Sequence, residues 1–473
     1  MVFSSLTFLF IFLPSVIFLY YTVFRKSIVA QNGLLLISSL LFYAWGEPRF
    51  AIVMIFSIFV NYVCGLLISK YADKKKLFLI IDIIFNLALL YVFKYLNFTI
   101  YNINQLFGNV VPQTSIVLPI GISFFTFQAM SYVIDVYRGD VKVQNNPFYV
   151  ALYISFFPQL IAGPIVRYTD IEERINERHV TSDTLSEGIR LFIIGLSKKV
   201  LIANNLALIT DGAFSGSEGG TLPSAALAWL GAVCYALQIY FDFDGYSEMA
   251  IGLGKMFGFD FPRNFIYPYR AATISEFWRY NHISLSTWFR DYVYIPLGGS
   301  RVNKRRWMLN VMTVWTLTGV WHGANWIFLL WGLCYGIILI IEKEFIFKMN
   351  YGRLFHTFYR GCTLVMLFIL NGVFFRDLGV SATKNVLLSM FGGADKLIDN
   401  LAIQYICEYK VILIIGIIYA FAGFQQLTKL VRSSDKGTMV LDIATPIIYF
   451  FLLLASISYL VIGAYNPFIY FNF

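Results

Sequence analysis

Charge is what this chain has least of. Only 13% of its 473 residues are Asp, Glu, Lys or Arg, about half the share usual in a soluble domain, and 58% are hydrophobic. That balance excludes a soluble globular protein. Cysteine is also scarce: Cys64, Cys234, Cys334, Cys362 and Cys407 are scattered without a CxxC pair. No disulfide framework is expected, and the five read as packing residues. The four histidines form no HExxH metal motif, and the nucleophile elbow GxSxG is missing. The N-terminus has no basic residue before its apolar run and no small-residue cleavage site, so it reads as a retained first span, not a secretory signal. A soluble basic domain is lacking too, so the net charge of +9 does not indicate nucleic-acid binding. Basic loops on the cytoplasmic side explain most of it, with attraction for membrane lipids or a phosphate-bearing donor as a second effect.

What the chain does have is apolar runs along its whole length. They are continuous, unlike the alternating ten-residue segments of an outer-membrane barrel. The fold class expected is therefore an all-α polytopic membrane protein. Spans need about 17–25 apolar residues, and the candidates are 6–24, 33–45, 50–68, 77–96, 116–136, 187–209, 224–256, 306–320, 325–341, 355–375, 411–430 and 440–462. No internal repeat is visible. Loops carrying Arg25/Lys26, Lys70–Lys76, Arg138–Arg178, the stretch 255–306 and Lys429–Lys436 are basic and expected inside, while 97–115 and 211–223 lack Lys and Arg and are expected outside. Both termini then lie outside. Segment 147–168 is apolar yet interrupted by Pro147, Pro158, Gly163 and Pro164. With both ends inside it must enter and return, which is tolerated only against protein or a wet cavity.

Three polar groups enter this apolar background. The first is YFDFDGYSEMAIGLG, 240–254. Acids at membrane depth are costly and usually functional. Asp244 and Glu248 share a helical face and Asp242 points elsewhere; pairing with arginines, or capping a broken helix, is the plainer explanation. The nearby GLGKMFG lacks the strand and GK[ST] ending of a phosphate loop. The second group, 261–301, mixes arginines with aromatics and has the composition of an interfacial amphipathic region, its apolar side drawn from Ile274, Phe277, Trp278, Ile283, Leu285, Trp288 and Phe289. Here Arg279, Arg290 and Asp291 flank His282 and Trp288, a surface suited to a phosphate-bearing donor or, equally, to lipid headgroups. The third is TGVWHGANW, 318–326. Its flanking runs, 306–320 and 325–341, are short for spans: fifteen residues reach about 22 Å. They suggest a turn inside the membrane around His322, with Trp321 and Asn325 beside it. A histidine there can move a proton near neutral pH, or can simply bond one helix to another. His179 and His356 read as solvated and interfacial.

Taken together these stretches resemble the membrane-bound O-acyltransferase (MBOAT) family, most closely its bacterial alginate O-acetylation (AlgI-like) branch, with the teichoic-acid D-alanyl transferases (DltB-like) as relatives. The pieces are MVFSS at the N-terminus, LPIGISFFTFQAMSYVIDVYRG (118–139), FFPQLIAGPIVR (156–167), YFDFDGYSEMAIGLGKMFGF (240–259), FWRYNHISLSTWFRDYVYIPLGGSR (277–301) and TGVWHGANWIFLLWG (318–332). They occur in family order over most of the chain. The HxxxxD pattern of other glycerolipid acyltransferases is not among them: the fifth residue after His282 is Thr287.

The resemblance implies a single MBOAT domain over 1–473, a ring of about eleven or twelve transmembrane helices around a central funnel, in a bacterial cytoplasmic membrane. It implies transfer of an acyl group, acetyl first, from a cytoplasmic thioester to a cell-surface polysaccharide. The donor would be acyl-CoA, with a carrier-protein thioester as the alternative, and no bound cofactor or metal is expected. The family's invariant histidine falls on His322 and its second polar position on His282. Trp321, Asn325, Arg279, Arg290, Asp291, Asp242 and Asp244 are the candidate substrate-binding residues. The final NPFIYFNF (466–473) resembles a short aromatic tail of alginate-type members and implies that Tyr470 carries the acyl group transiently to an extracellular acetyltransferase. A bare reading of the same tail is an aromatic belt. A transporter or exporter, and a non-catalytic scaffold for a periplasmic acetyltransferase, are the competing functions; the lack of a repeat weighs against the first.

Overall fold

The computed structural model describes residues 1–216, 222–348, 352–463, 465–467 and 469. Among them there are helices and no strand. Nine of these helices are long and apolar enough to cross a membrane, and the all-α polytopic expectation holds. The nine are fewer than the twelve spans read from hydropathy: Phe8–Val23 is a shorter apolar helix, Ile122–Arg138 has 17 residues, and Lys304–His322 is long enough but too polar. Segment 147–168, expected to enter and return, makes two short helices, Pro147–Ser155 and Phe157–Leu160. The break falls at Phe156 (ψ 113°), directly before a residue pair that includes Pro158.

The chain forms two compact units. The first comprises residues 1–192 and 246–263. Its centre is Ile122–Arg138, in which every residue from Ile122 to Val136 is buried. Such all-round burial fits its nearly uninterrupted apolar and small-polar sequence. Gly121 opens it in a left-handed conformation (φ +75°), where a Cβ would meet the Leu160 carbonyl oxygen at 2.7 Å; only glycine fits both demands. Two further helices, Pro48–Lys70 and Lys75–Leu90, are joined by polar side chains: the Asn86 Nδ2 donates to Asn61 Oδ1 at 3.0 Å and to Asp82 Oδ2 at 3.2 Å. Such bonds substitute for a hydrophobic drive between helices surrounded by lipid.

The second unit comprises 193–245 and 264–469. Helices Lys304–His322 and Trp326–Glu344 form a tight hairpin in it, each 19 residues long. Each therefore reaches about 28 Å, close to a full hydrocarbon core. The sequence reading expected shorter pieces, because Lys304, Arg305 and Arg306 end the apolar run without ending the helix. Asn303 caps that basic first turn through the Arg306 N–H at 2.9 Å. Close packing of the hairpin depends on two glycines: a Cβ on Gly319 would lie 2.4 Å from the Phe328 carbonyl oxygen, and one on Gly332 would lie 2.3 Å from that of Trp315. The expected span 411–430 is displaced as well. Helix Asn400–Ala420 ends where Ala422 turns left-handed (φ 62°), and Gly423–Val431 is a separate short helix.

Candidate active site

The turn after His322 is three residues long. The helix carrying it ends on Gly323, whose N–H bonds the Gly319 carbonyl at 3.4 Å. Asn325 starts the next helix by accepting the Ile327 N–H at 3.1 Å, and its Nδ2 donates to Asp377 Oδ1 at 2.7 Å. Asn325 is thus an N-cap that also fixes the loop at Asp377. His322 itself is buried, 2% exposed, inside an aromatic cage. Its ring centroid lies 4.9 Å from Trp321, 5.0 Å from Trp331 and 5.0 Å from Phe375. Trp331 is held in turn: Asn371 Oδ1 accepts from its indole N–H at 3.4 Å and from the Tyr335 hydroxyl at 2.9 Å.

His282 comes from far away in sequence yet its ring lies 6.3 Å from that of His322. It is buried to the same degree, 2% exposed, packed edge-on against Phe243 at 4.6 Å and near Trp321 at 5.9 Å. Its backbone is left-handed, φ 47°, a conformation that costs energy in a non-glycine residue and gathers at functional positions. Asn264 holds it there. The Asn264 side-chain oxygen accepts from the Ser284 N–H at 3.2 Å and hydroxyl at 2.9 Å, and sits 3.3 Å from His282 Nδ1. Facing an acceptor, Nδ1 carries the proton and Nε2 keeps its lone pair. Nε2 makes no hydrogen bond among the described residues, and burial lowers the pKa of this imidazole, which keeps it neutral.

A cavity of about 560 Å³, lined by neither imidazole, lies near His322, within the range of small-ligand sites. Trp278, Trp315 and Thr318 form part of its wall, and Arg279, Arg290 and Lys343 are its basic residues. Trp278 packs against Trp331 at 5.8 Å, so one ring separates this wall from His322. Of the residues expected on the apolar side of 261–301, Ile274, Phe277, Trp278, Leu285, Trp288 and Phe289 are buried within the protein and Ile283 is partly so. Arg290 and Asp291 make a two-point pair with each other, 2.6 and 3.1 Å. Helix Ile274–Tyr280, which carries Trp278 and Arg279, is anchored by Glu342. That fully buried carboxylate accepts the Ile274 and Ser275 N–H groups at 2.7 Å, the Ser275 hydroxyl at 2.6 Å and the Tyr359 hydroxyl at 2.8 Å. Glu342→Gln replaces one accepting oxygen by a donor facing donors. We expect it to lower stability by about 1.5–3 kcal/mol, read as a fall in thermal unfolding midpoint in detergent.

Asp242 and Asp244 are both buried and both paired, with lysines and not with the arginines expected of them. Lys198 Nζ lies 2.6 Å from Asp244 Oδ2 and Lys199 Nζ 2.6 Å from Asp242 Oδ1. The lysines start a π-helical turn, Lys198–Ala203, of the kind often found at functional sites. Glu248 is partly buried and belongs to the first unit. Tyr470 lies outside the described residues. His179 and His356 are exposed. Sequence reading missed Lys198, Lys199, Asn264 and Glu342. The adjacent lysines in the apolar run LSKKVL were a usable signal; Asn264 and Glu342 gave none, since what distinguishes them is a partner elsewhere in the chain.

A polytopic helical protein that buries two imidazoles side by side, near a basic-edged cavity, has the parts of an intramembrane group-transfer enzyme. Comparison with known proteins gives that class a family. Residues 37–382 match the membrane-bound O-acyltransferase family, and the chain belongs to it; it is an O-acyltransferase. It is 37% identical to the probable alginate O-acetylase AlgI of Pseudomonas putida, with 100% of each chain covered. It is also 36% identical to the peptidoglycan O-acetyltransferase of Helicobacter pylori, over 83% of this chain and 80% of that one. A more distant relative is the teichoic acid D-alanyltransferase of Bacillus subtilis, 30% identical over 50% of this chain and 61% of the other.

Proposed function

We propose that this protein transfers an acetyl group from a cytoplasmic thioester, acetyl-CoA, for O-acetylation of a cell-surface polysaccharide. The observation that carries this reading is the pair of buried imidazoles 6.3 Å apart, one ring away from a cavity bordered by Arg279, Arg290 and Lys343. Guanidinium groups suit the phosphates of coenzyme A, and the aromatic wall suits its apolar reach. The positive-inside pattern turns this basic stretch to the cytoplasm and both termini outward, in the cytoplasmic membrane of a bacterium. The printed functions of the relatives, alginate and peptidoglycan O-acetylation, support acetyl and a glycan.

In this reading His322 is the general base. It takes the proton of the acceptor hydroxyl as that oxygen attacks the thioester carbonyl carbon. The ester C–O bond forms, the C–S bond breaks, and the departing thiolate takes the proton from His322, which returns to neutral. His282, with its lone pair at Nε2, accepts a hydrogen bond from an amide N–H of the donor's pantetheine arm and so orients the thioester; a neutral Nδ1–H tautomer is unsuited to polarising the thioester carbonyl through Nε2. Trp321 packs against both rings and helps keep water out, which strengthens each polar contact. The acceptor is Tyr470 of the C-terminal tail, which hands the acetyl group to an extracytoplasmic transferase.

Purified protein in lipid nanodiscs with radiolabelled acetyl-CoA tests the donor side. Arg279→Ala/Arg290→Ala is expected to raise the KM for acetyl-CoA about tenfold, through loss of one or two charge-assisted contacts, with kcat little changed. An unchanged KM would remove the cavity from the donor route.

A further inference from the structure

The buried pair Lys199–Asp242 binds backbone. Asp242 Oδ2 accepts the Ile469 N–H at 3.0 Å, while its other oxygen faces Lys199 Nζ at 2.6 Å. Lys199 Nζ donates to the Pro467 carbonyl oxygen and, at 2.9 Å, to Asn204 Oδ1. Asn204 Nδ2 then donates to Asn466 Oδ1 at 3.1 Å. One step earlier in the chain, the Tyr465 hydroxyl donates to Asp211 Oδ2 at 2.8 Å, and Asp211 also pairs with Arg376. Asp242, Lys199 and Asn204 are each at most 5% exposed, and Ile469 is buried with them. An acid that takes an N–H and a cation that takes a carbonyl two residues away read the peptide backbone at two points, and Asn204 adds a side-chain contact. Two charges at this depth are costly as a mere brace. Both also bond the C-terminal segment.

We propose that Asp242, Lys199 and Asn204 form a peptide-binding slot that docks the chain's own C-terminal residues 465–467 and 469, and that this docking is required for acyl transfer. The second half rests on the reading of Tyr470 as acceptor: the slot fixes the residue next to it in sequence. Asp242 and Lys199 are in this account positioning residues that never touch the donor.

The charge-exchanged variant Asp242→Lys/Lys199→Asp tests this directly. It keeps a buried ion pair but reverses both backbone contacts, since a lysine cannot accept the Ile469 N–H and a carboxylate cannot donate to the Pro467 carbonyl. In nanodiscs, carboxypeptidase trimming followed by intact mass is expected to stop before residue 469 in the native protein. In the exchanged variant it is expected to run past residue 465 at least about tenfold faster, as loss of two charge-assisted bonds implies. Transfer to acceptor falls in parallel, while equilibrium binding of acetyl-CoA stays unchanged. Should the exchanged protein fail to fold, truncation after Gly463 leaves the native pair in place. A synthetic peptide of residues 464–473 should then bind and restore transfer, and should do neither when Asn204 is leucine. Native-like protection of 465–469 in the folded exchanged variant, or full transfer by the truncated protein without peptide, would overturn the proposal. Tyr470→Phe separates the two readings: it should lose transfer while residues 465–469 stay protected. If it transfers normally, the tyrosine is not the acceptor, and the protection measurement still judges the slot.

Discussion

His322→Ala is expected to lower acyl transfer by about 10²–10⁴-fold, the usual contribution of a positioned general base. The caged ring explains why no neighbour can take over. Trp321, Trp331 and Phe375 occupy three sides of it, none of them a base. His282 is tied through Nδ1 to Asn264 and its ring centre lies 6.3 Å away. The loss should appear in kcat with the KM for acetyl-CoA nearly unchanged, because the basic residues of the cavity are not altered. Elution as a single species in size-exclusion chromatography checks that the variant has folded. A scaffold that only recruits another transferase predicts normal polymer acetylation in cells carrying this variant, and a transporter predicts no thioester consumption by the native protein. His282→Gln should fall less far, since an orienting hydrogen bond is worth less than the proton acceptor itself.

Lys198→Met is expected to destabilise the protein by about 3–5 kcal/mol, because it strands a buried carboxylate. Lys198 and Asp244 have side chains only 4% and 6% exposed, 2.6 Å apart, and Lys198 also sits over the Tyr419 ring at 4.4 Å. Removing both charges in Lys198→Met/Asp244→Leu should recover most of the loss, since an apolar pair of similar volume has nothing left to desolvate. The measurement is the thermal unfolding midpoint in detergent for both variants. If the double variant melts as low as the single one, the pair has a role beyond charge compensation.

Much of this was legible along the chain. Membrane character follows from composition alone, because lipid tolerates few charges and demands long apolar helices. The same argument picked out the exceptions: His322, His282, Asp242 and Asp244 stand out in sequence because polar groups at membrane depth need a reason to be there. The motifs around them carried the family, which the full-length similarity to alginate O-acetylases supports. Helix ends were less legible. Asn303 and its cap extend the His322 helix three charged residues beyond its apolar run, and Ala422 divides an apparently continuous span, both local backbone matters that hydropathy does not register.

What the sequence determined by itself, then, is the solvent the protein lives in and the identity of its unusual residues, since both depend only on the chemistry of each side chain set against a hydrocarbon background. What tertiary structure alone decided is pairing. That His282 faces His322 across 40 residues of chain, that Asp242 takes Lys199 and the backbone of Ile469, and that Glu342 fastens a helix some 68 residues before it are facts about distance in space. Hydrogen bonds and ion pairs act over a few ångströms, and separation along the chain does not encode which groups folding will bring that close.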